Sequence, residues 1–349
     1  METLVKKIDC KNIDINLIRE AAQLIRAGEL VAFPTETVYG LGADALHREG
    51  AEKIYSAKGR PSDNPLIVHI AEFKALEKIT AAVPQEAWKL AEKFWPGPLT
   101  MIFPKSSAVP KTTTGGMETV AVRMPDHPVA LALIRESGGY IAAPSANTSG
   151  KPSPTLAEHV YLDLKGRVPL ILDGGGVGIG IESTIIDLSE KVPTILRPGY
   201  ITKKMISEII GEVRDDPGLI SEDAAVRPKA PGMKYKHYAP KADLTVINGP
   251  QKQVIKKINE LSAEKLARGR KVGVIGTDES ISCYQCTCAK SIGSRCDEDA
   301  IARHLYGILR EFDDMEIDDI YSESFATPRI GQAIMNRLLK AAGHQVINV

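Results

Sequence analysis

The chain has 349 residues, 43% hydrophobic and 25% charged, and its 44 basic and 44 acidic side chains cancel to a formal net charge of zero. That length exceeds one ordinary core of about 100–200 residues and points to two domains. The neutral total demands no nucleic-acid or membrane partner and leaves local charged patches open. There is no run of about 18 apolar residues, and Met1-Glu2-Thr3-Leu4-Val5-Lys6-Lys7 lacks the apolar core of a leader, so a cytoplasmic protein with no membrane partner is expected.

Asp14 is a candidate N-cap for a helix whose apolar spacing, Ile15, Ile18, Ala22 and Ile25, runs to Gly28. Leu30 to Phe33 reads as a strand. The stretch Phe33-Pro34-Thr35-Glu36-Thr37-Val38-Tyr39-Gly40-Leu41-Gly42-Ala43-Asp44 then shows no helical or strand period and reads as a loop. Thr35 and Thr37 offer hydroxyls that donate and accept, and Gly40 and Gly42 allow close backbone approach to a ligand; an ordinary strand-to-helix turn is the alternative. Glu49 to Lys58 reads as a helix delivering Lys58-Gly59-Arg60, followed by Pro61-Ser62-Asp63-Asn64-Pro65. Two cations before a Pro-bracketed polar turn suit an anion, although helix C-termini attract cations for structural reasons too.

Leu66 to Ile70 reads as a strand with His69 among apolar residues, where a histidine is ordinarily a satisfied core group. Trp88 to Phe94 closes a helix, Trp95-Pro96-Gly97-Pro98 forces a turn, and Leu99 to Phe103 reads as a strand. Ser106 to Glu118, rich in Thr and Gly, is expected to be a long mobile connection. Thr119 to Met124 reads as a strand carrying Arg123, a cation that needs a carboxylate partner from protein or ligand.

The strand Tyr140 to Ala143 ends at Pro144. Ser145-Ala146-Asn147-Thr148-Ser149-Gly150-Lys151-Pro152-Ser153 then offers small polar groups and backbone N–H donors suited to phosphate or carboxylate oxygens, with an exposed turn as the alternative. The run Gly174 to Gly180 fits no dinucleotide register, and neither a phosphate-loop nor a zincin motif occurs. Ser183 to Leu188 and Thr194 to Leu196 read as strands, the second followed by Arg197-Pro198-Gly199. Four prolines, Pro217, Pro228, Pro231 and Pro240, mark 214–242 as a linker whose basic, aromatic half, Lys234 to Pro240, is expected to fold over a ligand. The domains are thus 1–213 and 243–349. In the second, strands Leu244 to Ile247, Val272 to Ile275 and Ile317 to Tyr321 alternate with helices Val254 to Ala267, Asp299 to Arg310 and Ile330 to Ala342, a small Rossmann-like βαβ pattern. The acidic run Glu311 to Asp319 reads as a solvated face. Cys10 is alone. Cys283, Cys286, Cys288 and Cys296 are expected as free thiols, with Cys286 and Cys288 alternating on one strand and zinc as the lesser reading.

Taken in order, Phe33 to Leu41, Lys58-Gly59-Arg60 with Asn64, Ser145-Ala146-Asn147, Glu182-Ser183-Thr184 and Arg197-Pro198-Gly199 resemble the YrdC-type domain. With the Lys234-to-Pro240 linker and the second domain, the chain resembles the long, two-domain L-threonylcarbamoyladenylate synthases. The resemblance implies an α/β protein, a YrdC-like twisted mixed-sheet catalytic domain plus a smaller Rossmann-like C-terminal domain. It implies a nucleotidyltransferase that converts L-threonine, bicarbonate and ATP to threonylcarbamoyl-AMP and pyrophosphate, feeding a separate transferase that modifies the tRNA adenosine beside the anticodon; tRNA itself is a further candidate ligand.

By the same resemblance, Lys58, Arg60, Ser145 and Asn147 match the sets that hold nucleotide phosphates, Lys58 and Arg60 as the catalytic cations. Asn64, Thr119, Ser153 and Arg197 fall at ATP contacts, with Tyr235 and His237 in the closing linker. Thr35, Thr37, His69, Arg123, Ala143 (through its backbone) and Ser183 fall at L-threonine contacts. Adenylyl transfer is mainly positioning and charge neutralisation, so Mg2+ is expected to arrive with ATP and no metal is expected on protein side chains. Two other readings stay open: an RNA- or tRNA-binding module without catalysis, and a carbamoyl adenylylation serving metallocentre maturation, whose zinc-ligand and acylphosphatase motifs this sequence lacks.

Overall fold

A computed structural model describes residues 1–219 and 238–349, which divide into two compact units, one built on each of two sheets. The first sheet takes β1 (Leu4–Lys7), β2 (Val31–Phe33), β3 (Gly40–Asp44), β4 (Ile67–His69), β5 (Leu99–Pro104), β6 (Thr119–Arg123), β7 (Ile141–Ala142), β8 (Leu170–Asp173), β9 (Thr184–Asp187), β10 (Thr194–Arg197) and β11 (Arg214–Asp215). Their order is β1-β8-β2-β3-β7-β4-β6-β5-β9-β10-β11, with parallel and antiparallel pairs mixed. Alternation along β2 explains why both faces are covered. Val31 and Phe33 enter one core with Ile141, Leu170 and Leu172, while Ala32 enters the other with Leu41, Val68 and Val122.

The helices that flank this sheet start and stop where local chemistry requires. Asp14 caps Ile15–Arg26 by accepting from the backbone N–H groups of Asn16 and Leu17, and Ile18, Ala21, Ala22 and Ile25 form its buried stripe. Arg48–Lys58 ends at Gly59, in the left-handed region at φ 61°; the Arg60 N–H then reaches back to the Tyr55 carbonyl at 2.9 Å. That reversal separates Lys58 from Arg60 and sends both side chains into the unit.

The second sheet is β12 (Asp243–Asn248), β13 (Val272–Gly276), β14 (Cys288–Ser291), β15 (Asp319–Glu323) and β16 (Val346–Asn348), in the order β14-β13-β15-β12-β16 with every pair parallel. This is the Rossmann-like unit expected, widened by β14 and β16, which carry too little apolar alternation to be seen in sequence. Helices Pro128–Glu136, Ala157–Leu164 and Lys203–Ile210 and strands β1 and β8 were likewise not anticipated.

Several expectations are corrected. Phe33 to Asp44 is not loop throughout: Gly40–Asp44 is a strand antiparallel to β2. Gly42 serves packing there, since a Cβ on it would lie 2.8 Å from the Phe33 ring and 2.9 Å from Ile141. Ser106 to Glu118 is anchored, with Thr113 and Thr114 buried and the Thr113 hydroxyl donating to the Ala45 carbonyl at 2.9 Å. The segment read as linker opens with β11, paired in parallel with β10. Cys286 precedes β14 rather than sharing it with Cys288. Nor is the acidic run wholly solvated, because Asp319 is buried against Lys265 and Arg270.

Candidate active site

The site is assembled where the first sheet's register sets polar residues side by side. His69 on β4 is the Cα partner of Arg123 on β6, which is the partner of Thr100 on β5. Thr100 pairs with Ile185 on β9, and Ile185 with Arg197 on β10. Residues in such a row share one face of a sheet. Ile67, Ile102 and Ala121, each two residues along from a member of the row, join Ile185 and Leu196 in a small apolar cluster beside it.

At one end of the row the Thr100 and Ser183 hydroxyls lie 2.8 Å apart, and Arg197 donates from Nε to the Ser183 carbonyl at 3.0 Å and from Nη2 to the Ser183 hydroxyl at 3.2 Å. Thr100, which the sequence reading passed over, therefore links Ser183 to Arg123; its only signal in sequence was a hydroxyl in an apolar strand.

Arg123 is 96% buried and donates from Nε to the Gly97 carbonyl at 3.3 Å. The partner it required is Glu36, whose Oε1 lies 2.7 Å from Arg123 Nη2. Glu36 stood inside the opening stretch without a role. It lies 87 positions away in sequence, and only a buried cation in need of an anion could have pointed to it. Beside the pair, burial and then the Arg123 charge push His69 down to about 3, so its imidazole is neutral; its Nδ1 faces the Ile67 carbonyl at 3.2 Å. The Ala143 N–H donates to that same carbonyl at 2.9 Å, which brings the backbone of β7 next to His69.

The loop before β3 closes on itself. Thr35 donates its hydroxyl to the Val38 carbonyl at 2.6 Å, accepts from the Thr37 and Val38 N–H groups, and lies 2.9 Å from the Thr37 hydroxyl. The turn presents Glu36 at its tip.

A second group surrounds Lys58. Its ammonium, only 1% exposed, donates to the Ser145 carbonyl and to both the carbonyl and Oδ1 of Asn147, while the Ser145 hydroxyl donates to Asn147 Oδ1 at 2.5 Å. The two sequence motifs, Lys-x-Arg and Ser-x-Asn, are thus locked together. An isolated bridge between Gly40 and Ser145 ties the same loop to β3. Arg60 donates to the Asn64 carbonyl at 3.2 Å and the Pro65 carbonyl at 3.1 Å, fixing the Pro-bracketed turn; Asn64 Oδ1 is buried with no hydrogen-bond partner among the described residues. Ser153 donates to Glu182 at 2.5 Å, both buried. Thr119 sits at the start of β6, four residues from Arg123 on the same face. Tyr235 and His237 lie outside the described residues. No three His, Cys, Asp or Glu residues are grouped as a metal-ligand set among the described residues, and no helix there is long and apolar enough to cross a membrane.

A twisted mixed sheet whose Lys-x-Arg helix end is locked into a Ser-x-Asn loop defines a YrdC-type domain, here followed by a parallel α/β unit. Residues 23–199 match the Sua5/YciO/YrdC family, described as Telomere recombination, and residues 201–343 match the family described as Threonylcarbamoyl-AMP synthase, C-terminal domain. The chain is 53% identical to the threonylcarbamoyl-AMP synthase of Bacillus subtilis, covering 95% of this chain and 94% of that one. To the Pyrococcus abyssi synthase it is 51% identical, over 95% and 96% of the two. The crystal structure of Pyrococcus abyssi Sua5 complexed with L-threonine superimposes with a TM-score of 0.94 at 48% identity, covering 99% of both chains. The chain belongs to the Sua5 family of threonylcarbamoyl-AMP synthases, in its two-domain form.

Proposed function

We propose that this enzyme joins L-threonine, bicarbonate and ATP into threonylcarbamoyl-AMP with release of pyrophosphate, supplying a separate transferase that modifies tRNA beside the anticodon. The observation that carries the reading is the lock of Lys58 onto Ser145 and Asn147, in the loop that follows the strand paired with His69 and its neighbour Arg123. It sets a cation and small polar groups for phosphate oxygens beside a guanidinium for a carboxylate.

Threonine binds with its carboxylate on Arg123 and its hydroxyl among Thr37, His69 and Ser183, Thr35 and the Ala143 backbone completing the wall. A neutral His69 can accept or donate there without adding charge. The amine and bicarbonate combine to an N-carboxy group with loss of water, and that carboxylate attacks the α-phosphorus of ATP as pyrophosphate leaves. Lys58 and Arg60 neutralise charge on the phosphates, Ser145 and Asn147 orient them, and Asn64, Thr119, Ser153 and Arg197 hold the nucleotide. Mg2+ carried in with ATP would supply further screening of the triphosphate charge, beside that of Lys58 and Arg60. Buried polar walls exclude water from the labile carbamate.

The test is pyrophosphate release by the purified chain with threonine and bicarbonate each supplied or omitted. Release that needs both is expected, and its absence under every combination overturns the reading. Lys58→Ala and Arg60→Ala should each lower the rate at least about a hundredfold with an unchanged circular dichroism spectrum; full activity in both variants removes those residues from the site.

A further inference from the structure

The contact between Glu36 and Arg123 is close but poorly aligned. At 2.7 Å the two charges attract, yet neither Glu36 oxygen nor Arg123 Nη2 meets hydrogen-bond geometry with any group among the described residues, although all three atoms are shielded from solvent. A carboxylate serving only the fold would ordinarily collect N–H donors, as Asp319 does from Lys265 and Arg270. Among the described residues, no cation other than Arg123 is paired with Glu36. Asp126 adds negative charge close to Glu36, and burial holds the adjacent His127 below its ordinary value and hence neutral at pH 7.

We propose that Glu36 is a substrate-recognition residue: an amino acid enters between Glu36 and Arg123 and exchanges their ion pair for two new ones, its ammonium on Glu36 and its carboxylate on Arg123. This deepens, and rests on, the threonine reading of the same site. Charge balance dictates the exchange. Opening a buried pair leaves two uncompensated charges unless the incoming group carries both signs, and a zwitterion does so with no change in the net charge of the site. A carboxylate without an amine can satisfy Arg123 only by stranding Glu36. The pair therefore selects α-amino acids over other hydroxylated carboxylic acids, and it does so before any chemistry at nitrogen. The turn held by Thr35 and Thr37 keeps Glu36 at this position.

The experiment compares L-threonine with its hydroxy-acid analogue, in which hydroxyl replaces the amine, by calorimetry on the full chain and on Glu36→Gln and Glu36→Ala. In the wild type, threonine should bind and the analogue should bind far more weakly. In Glu36→Gln the threonine Kd should rise about tenfold or more, because a charge-assisted contact to the ammonium is lost. The analogue should bind more tightly than it does to the wild type, because Arg123 no longer has an internal competitor. Opposite signs for the two ligands, repeated in Glu36→Ala, support the proposal. Parallel losses for both ligands, or threonine affinity unchanged, overturn it and leave Glu36 as a support for Arg123 or a bystander. Failure of the wild type to bind threonine at all overturns the threonine reading itself, and the proposal with it. Each variant's circular dichroism spectrum and melting curve, taken with and without the analogue, separate a folding defect from a binding one: a folded Glu36→Gln chain should be stabilised by the analogue more than the wild type is.

Discussion

Burial first, and the Arg123 guanidinium second, hold His69 at about 3, well below the 6.5 of a free imidazole. The sign of the consequence is fixed. Between about 6.5 and about 3 the unfolded chain binds a proton that the folded chain refuses, so stability falls with acidification by about 1.4 kcal/mol per pH unit from this residue alone. His127, lowered by burial and partly restored by Glu36, acts in the same direction. His69→Gln cannot titrate and should cost stability at pH 7, with the difference from the wild type shrinking as the pH is lowered from 6.5; urea titrations at three pH values check it. A difference independent of pH would mean that His69 is not held neutral. At this scale the sequence was informative about residue types and silent about partners. Arg123 announced its need for an anion, but Glu36, Thr100 and Glu182 could not be matched to Arg123, Ser183 and Ser153, because strand register decides which distant side chains meet.

Two glycines separate what a helix end needs from what a close-packed site needs. Gly59 lies at φ 61° with open space where a Cβ would stand, so Gly59→Ala should cost only the left-handed backbone penalty, about 1 kcal/mol. At Gly199 a Cβ would fall 2.4 Å from the Thr184 amide nitrogen, with no flexible side chain to move aside. Gly199→Ala should therefore cost about 3 kcal/mol, and it should disturb the Ser183–Arg197 contact and raise the threonine KM as well. Melting temperatures together with KM measurements distinguish the two; a larger loss from Gly59→Ala would contradict this ordering. Both glycines sit in motifs visible in sequence, and so did the capped helix from Ile15 to Arg26 and the strands with unbroken apolar runs. Three of the strands missed lacked that signal. Gly40–Asp44 hides its alternation behind two glycines, and β14 and β16 are edge strands only partly buried, so neither shows the period that marks a strand.

Across the whole chain, two different solutions to sheet burial stand one after the other. The first unit uses a mixed sheet with apolar cores on both faces and opens one row of it for polar residues. The second uses five parallel strands, and it ties down the start of β15 by charge: Asp319 is buried with Lys265 Nζ at 2.7 Å and the Arg270 guanidinium alongside. Burial would raise the Asp319 carboxyl, but these two cations outweigh it and hold it below the usual range. Asp319→Ala should destabilise the second unit by about 2 kcal/mol, less than the 3–5 kcal/mol of a fully enclosed pair because both cations keep roughly a third of their surface in water. Hydrogen exchange at β12, β13 and β15 reads this directly, and unchanged protection there would show that packing alone holds the strands.

The sequence by itself determined the α/β class, the identities of the candidate cations and hydroxyls, and the family, because those depend on which residues follow which. Apolar period, caps and motif spacing are local properties and survive in one dimension. Only the tertiary structure decided that Lys58 grips the Ser145–Asn147 loop, that Arg123 is answered by Glu36, and that His69, Arg123 and Thr100 stand in one row. Each of these joins residues far apart in sequence through strand pairing and burial, and burial is what turns a nearby charge into a strong one.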